Sequence, residues 1–134
     1  MTDPATPSHA LLLCATSYPA EALMLRAALE PAGWSVAAVD DAVTAMLELC
    51  RKPERFAAVL VGERVGRASG LSLCGLLRDS GCGLPIVLLT TQDSAAIAGR
   101  AARLRVSVLW EPVSSERLQR SLDGLMPRRL CTVS

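Results

Sequence analysis

Phe56-Ala57-Ala58-Val59-Leu60-Val61-Gly62 is the stretch whose reading decides the fold. Six apolar residues, two of them valines, end abruptly at a glycine and a polar loop, which is a fully buried strand rather than a helix. A new helix opens at about Gly70, with Leu73, Leu76 and Leu77 expected on one face. A buried strand, a loop and a helix make the repeating unit of a parallel α/β sheet. Ligand chemistry in such sheets sits past the carboxyl ends of the central strands. Gly62 stands at that place without a side chain, and this absence is the main functional clue.

The same unit recurs on both sides. Leu11 to Ala15 reads as a buried strand, and Pro19 suits the first turn of a helix running to about Glu30, closed by Pro31 and Gly33. Trp34 to Val39 is a second strand. Asp40-Asp41 follows it as a helix cap, with Val43, Met46, Leu47 and Cys50 at the spacing of an inward helix face. Beyond the central unit, Pro85 to Leu89 is a fourth strand ending at Thr90-Thr91. Ile97, Ala101 and Leu104 mark a fourth helix, and Val106 to Leu109 a fifth strand. A fifth helix is capped by Ser114 or Ser115 and turns Leu118, Leu122 and Leu125 inward. Five such units predict a parallel five-stranded sheet with helices on both faces. The expected layout is a leader over residues 1–9, one domain over 10–126 and a basic tail over 127–134.

The totals agree with one domain. A chain of 134 residues buries roughly 65–70% of its unfolded surface. Aromatics are 3% of the chain, so Leu, Ala and Val must fill the core. A net charge of +1 argues against a nucleic-acid-binding surface. The charge is uneven, because residues 94–134 hold seven arginines against three acids. Cys14, Cys50, Cys74, Cys82 and Cys131 form no C-x-x-C pair and no metal-ligand spacing with His9, which points to reduced thiols and no metal site. No apolar run approaches the ~20 residues of a membrane span, and no basic signal-peptide start is present. A cytoplasmic protein is expected.

This arrangement resembles the receiver domains of bacterial response regulators, the CheY-like fold, over about residues 10–126. With the right-handed crossover rule, the resemblance implies a doubly wound flavodoxin-like sheet of strand order 2-1-3-4-5. The resemblance implies an acidic pair after the first strand, a phosphate-accepting Asp at the end of the third, a Gly opening the third helix, a Thr or Ser ending the fourth strand, and a Lys-Pro after the fifth. On this chain those positions are Thr16 and Ser17, Gly62, Gly70, Thr90, and Glu111-Pro112. Scaffold positions Gly70, Pro85, Thr90 and Pro112 match, while every charged position of the phosphorylation machinery departs. Family receivers bind Mg²⁺ through carboxylates, since a hard divalent ion takes anionic oxygens. Neutral Thr16 and Ser17 with Gly62 remove those ligands and the phosphoacceptor, and Glu111 replaces a cation. The expectation is a pseudo-receiver: not an enzyme, without cofactor, signalling by protein–protein contact and independent of phosphorylation.

Other residues have competing readings. Asp40-Asp41 is read as a cap, not as a displaced acidic pair. Glu63, which could stand in for a phospho-aspartate, is read as an exposed loop acid because neighbouring strand positions point to opposite faces. Thr90 is read as a strand-end hydroxyl bonded to backbone. Gly62-x-x-x-Gly66 with Arg64 and Arg67 lacks the Gly-Lys-Ser/Thr ending of a P-loop. Cys14 is read as a core residue. Arg100 with Arg103, and Arg117 with Arg120, lie one turn apart on the fourth and fifth helices. The resemblance implies a partner face at helix four, strand five and helix five, for an acidic signalling protein or a homodimer. The alternative function is a small-molecule or flavin-binding flavodoxin-like protein using the crevice above Gly62 and Thr90. Its Thr16-Ser17-Tyr18 loop supplies some phosphate-binding character, but the aromatics available to flank a ring are few.

Overall fold

The computed structural model describes residues 11–125. The expected leader, the basic tail and Cys131 lie outside the described residues. The main sheet is built from β1 (Leu11–Ala15), β2 (Ser35–Val39), β3 (Phe56–Val61), β6 (Ile86–Thr90) and β7 (Val106–Trp110), all parallel, in the order β2-β1-β3-β6-β7. This is the expected 2-1-3-4-5 order of the five main strands. The sequence reading lacked a small antiparallel hairpin, β4 (Arg64–Val65) and β5 (Ala68–Ser69), in the loop after β3. The Gly62-x-x-x-Gly66 segment is therefore a hairpin turning at Gly66 (φ 64°), not a phosphate cradle.

Alternation along the strands divides the core in two. Leu13, Ala15, Val59, Val61, Ile86 and Leu88 pack under α2 (Ala42–Arg51), α3 (Gly70–Asp79) and α4 (Ala95–Arg103). Leu12, Cys14, Ala58, Leu60, Val87 and Leu89 pack under α1 (Pro19–Leu29) and α5 (Ser115–Leu125). A strand buried on both faces cannot alternate apolar with polar, which is why β1, β3 and β6 read as continuous apolar runs.

Local signals explain the helix starts. Pro19 opens α1 and needs no N–H there. Asp41 caps α2, accepting from the Thr44 amide at 2.8 Å and the Thr44 hydroxyl at 2.9 Å, and these bonds hold its carboxyl below the usual range. Ser69, Ser94 and Ser114 accept the corresponding amides at the starts of α3, α4 and α5.

Two expected helix faces are wrong. On α2 the buried residues are Ala45 and Leu49, with Ala42 and Met46 beside them, while Val43 and Leu47 are 68% and 57% exposed and Cys50 is exposed. On α3, Cys74 is buried with Leu73 and Leu77, and Leu76 faces out. Both helices carry apolar residues on more than one stripe, so periodicity alone admits two faces. Cys14 and Cys74 are buried free thiols whose pKa burial pushes up to about 12, so they are core residues and not nucleophiles.

Candidate functional site

Strand register assembles the site. Ala15 pairs with Val61, and the Gly62 amide donates to the Ala15 carbonyl at 2.8 Å, so Thr16 lies beside Gly62. Val61 pairs with Leu88, which carries Glu63 alongside Thr90. Thr90 pairs with Trp110, and the Glu111 amide donates to the Thr90 carbonyl at 2.9 Å. Thr16, Ser17, Gly62, Thr90 and Glu111 thus gather at the carboxyl ends of adjacent strands. Gly70 joins them because α3 starts hard against β3. A β-carbon at Gly70 would collide with the Gly62 carbonyl oxygen and lie 2.9 Å from Leu88 Cδ1.

Above Gly62, on the α1–α5 side, the space is already filled. A β-carbon at Gly62 would lie 2.5 Å from Glu21 Oε1 and 2.8 Å from Thr16 Oγ1. The buried Thr16 hydroxyl donates to Glu21 at 2.6 Å and accepts from the Tyr18 amide at 3.2 Å. Glu21, which sequence reasoning did not single out, therefore brings a carboxylate to the place where an acceptor side chain would rise. Its position in the first turn of α1 was the available signal. Glu111 closes this side. Its pKa is raised to about 7, first by burial, then by a hydrogen bond with Glu21, then by the negative charges of Glu21 and Glu63. The like charges around Glu111 are the protein's own glutamates.

On the α3–α4 side the arrangement is satisfied. Glu63 Oε1 accepts from the Thr90 hydroxyl at 3.0 Å, the Thr91 hydroxyl at 3.1 Å and the Thr91 amide at 3.3 Å. Glu63 is half-buried, so its reading as an exposed loop acid is corrected. The alternation argument was sound, but the opposite face is the wall carrying Thr90 rather than solvent. Thr90 does bond backbone, accepting from the Gln92 amide at 3.0 Å, and its proton goes to Glu63. Ser17 serves the hairpin: its hydroxyl donates to the Gly66 carbonyl and accepts the Gly66 amide, while its own amide donates to the Arg64 carbonyl at 2.8 Å.

These commitments bear on ligands. The Thr16 and Ser17 oxygens are engaged within the protein and Gly62 offers only backbone, a poor set for Mg²⁺. Among the described residues, no group of three or more His, Cys, Asp or Glu could hold a metal ion, even though three glutamates approach the site. The crevice beside Thr90 encloses about 230 Å³ between Glu63, Arg64, Leu71, Leu88, Gln92 and Ile97. It has no aromatic wall and is small for a flavin. Trp34 and Phe56 are buried, and the Trp110 indole donates to the Gln92 carbonyl at 3.1 Å.

The four arginines Arg100, Arg103, Arg117 and Arg120 are all exposed. They occupy helices on opposite faces of the sheet, flanking the β7 edge. Arg120 lies 3.8 Å from Glu116, and the Arg100 guanidinium reaches toward Gly75 of α3.

The chain is similar to several known proteins. The response regulator MprA of Mycobacterium leprae is 33% identical over 107 residues, covering 78% of this chain and 45% of that protein. The chain thus spans less than half the length of this curated relative. The receiver domain of a modulated diguanylate cyclase from Desulfovibrio desulfuricans superposes with a TM-score of 0.71 at 28% identity, over 86% of this chain and 91% of that one. Vibrio cholerae CheY4 superposes with a TM-score of 0.78 at 20% identity, over 88% and 99% respectively. No family model matches the chain. Strand order and these likenesses together show the fold of response-regulator receiver (CheY-like) domains. Among the described residues, no helix is long and apolar enough to cross a membrane.

Proposed function

We propose that this domain is a pseudo-receiver, a signalling module that works by protein–protein contact and independently of phosphorylation. The observation that carries the reading is the volume above Gly62. The phosphoacceptor position has no side chain, and Glu21 and Thr16 occupy the space one would need. Glu63 also engages Thr90, so that hydroxyl already has an anionic partner within the chain. A phosphoryl group would add negative charge beside Glu21, Glu63 and Glu111. Neither ion pair among the described residues, Arg51–Glu48 or Arg120–Glu116, involves these carboxylates.

The test is incubation with acetyl phosphate and Mg²⁺ followed by intact-mass measurement. The mass stays unchanged, and a stoichiometric base-labile adduct would overturn the reading. The flavin alternative has no specific observation in its favour, and a colourless purified protein disposes of it.

The partner side of the proposal is the β7 edge. Residues 95–105 and 115–125 carry five arginines against two acids, an excess suited to an acidic protein surface. The same excess disfavours a homodimer through this edge, because twofold pairing would bring arginines toward arginines. Partner binding weakens as salt rises, since exposed charges are screened within ~8–10 Å. Reversal of Arg100 and Arg103 to Glu slows association and leaves the melting temperature within about 2 °C. Unchanged affinity after those reversals would reduce the arginines to a solvated surface.

A further inference from the structure

The opposite edge of the sheet has a different character. Among the described residues, β2 is paired on one side only, with β1. Edge strands are commonly guarded by lysine, proline or a bulge, and Ser35-Val36-Ala37-Ala38-Val39 has neither residue and pairs in unbroken register. Leu23 of α1 and Val43 and Leu47 of α2 flank this edge, and they are 68%, 68% and 57% exposed. A groove of about 580 Å³ opens at the carboxyl end of this edge, lined by Leu23, Ala38, Val39 and Thr44 and by the site residues Thr16 and Ser17. None of the site glutamates lines it.

The charges of the groove indicate its occupant. Arg26 and Asp40 line the same groove, one of each sign. A surface that packs on itself about a twofold axis needs both signs or neither, because each residue meets the other's copy. The small side chains of Ser35, Ala37 and Ala38 let a second backbone approach closely. An acidic or a basic partner would leave one of the two groove charges facing its own sign.

We propose that the α1–β2–α2 edge is a self-association surface, occupied by a second copy of this chain. Leu23 and Leu47 are its apolar anchors, and Arg26 meets Asp40 of the partner across the axis. The two edges then have separate roles, with the arginine edge left free for an acidic protein.

Sedimentation equilibrium of the full chain, from about 1 to 500 µM, tests this. The wild type passes from monomer to dimer over that range. Leu47→Glu and Leu23→Glu each weaken dimerisation at least about 30-fold, because each would bury an unpaired carboxylate. Thermal melts confirm that these exposed positions still allow folding. Arg26→Asp and Asp40→Arg each weaken self-association, and an equimolar mixture of the two variants recovers it as a heterodimer. A chain that stays monomeric throughout would overturn the proposal, including one that binds a different protein through Leu23 and Leu47. A dimer that survives the leucine changes and dissociates on Arg117→Glu would also overturn it, as would a mixture no tighter than the single variants.

Discussion

The two sides of the site, separated by the plane of β3, hold similar residues in opposite conditions. On the α3–α4 side the Glu63 carboxylate is met by two hydroxyls and an amide. On the α1–α5 side Glu21 and Glu111 share a confined space, with Thr16 the one hydroxyl bonded to Glu21, and Glu111 holds its proton to about pH 7. The difference is the supply of donors. A buried carboxylate is tolerated where hydrogen bonds replace water, and otherwise stays partly protonated. In chemical terms, one side is a finished clasp. The other is a crowded acid pair where a cation would normally stand.

The sharpest way to break that comparison is to add a third carboxylate to the crowded side. Gly62→Asp brings its β-carbon against Thr16 and the tip of Glu21 and should destabilise the fold by about 2–3 kcal/mol, read as a lowered denaturation midpoint. The variant should still take no phosphate from acetyl phosphate. A stable, efficiently phosphorylated Gly62→Asp would mean that Glu21 swings away and the crowding is only apparent.

Removing the clasp is next in size. Glu63→Ala leaves the buried Thr90 hydroxyl without its acceptor and should cost about 1–2 kcal/mol. Glu63→Gln keeps an oxygen acceptor and should cost less than half as much. Equal losses for the two variants would show that charge, not hydrogen bonding, holds this side together.

The smallest effect concerns pH. Glu111 titrates near 4.5 when unfolded and near 7 when folded, so the native state holds an extra proton between those values. Its stabilising contribution is therefore fully present below about pH 4.5 and is lost as pH rises through 7. Because the group is half-exposed, solvent screening reduces the effect to about 1 kcal/mol. Between pH 5 and pH 8 the wild type should lose about 3–6 °C of melting temperature from this group, and Glu111→Gln should lose little. A wild-type slope retained in Glu111→Gln would assign it to another group.

What the sequence determined by itself was the alternation of strands and helices, because buried strands and capped helices are local patterns. Five apolar runs, Pro19, Asp41 and Ser69 located the elements, and the right-handed crossover rule together with the receiver resemblance predicted their order. Thr16, Ser17, Gly62, Thr90 and Glu111 were legible as a set because each ends or follows a strand. The sequence also fixed what is missing at Gly62.

Only the tertiary structure decided what fills that space. Glu21 reaches Thr16 across five residues and a change of element, and Glu63 reaches Thr90 across 27 residues, contacts that no local pattern encodes. The structure also chose the inward face of α2, where Ala45 and Leu49 won over Val43 and Leu47. Periodicity says that a helix has an apolar stripe, but when there are two stripes the choice depends on which one the sheet beneath can accept. Side-chain direction at Glu63 follows the same logic: alternation gave its face, and the neighbouring strand determined whether that face was water or a hydroxyl.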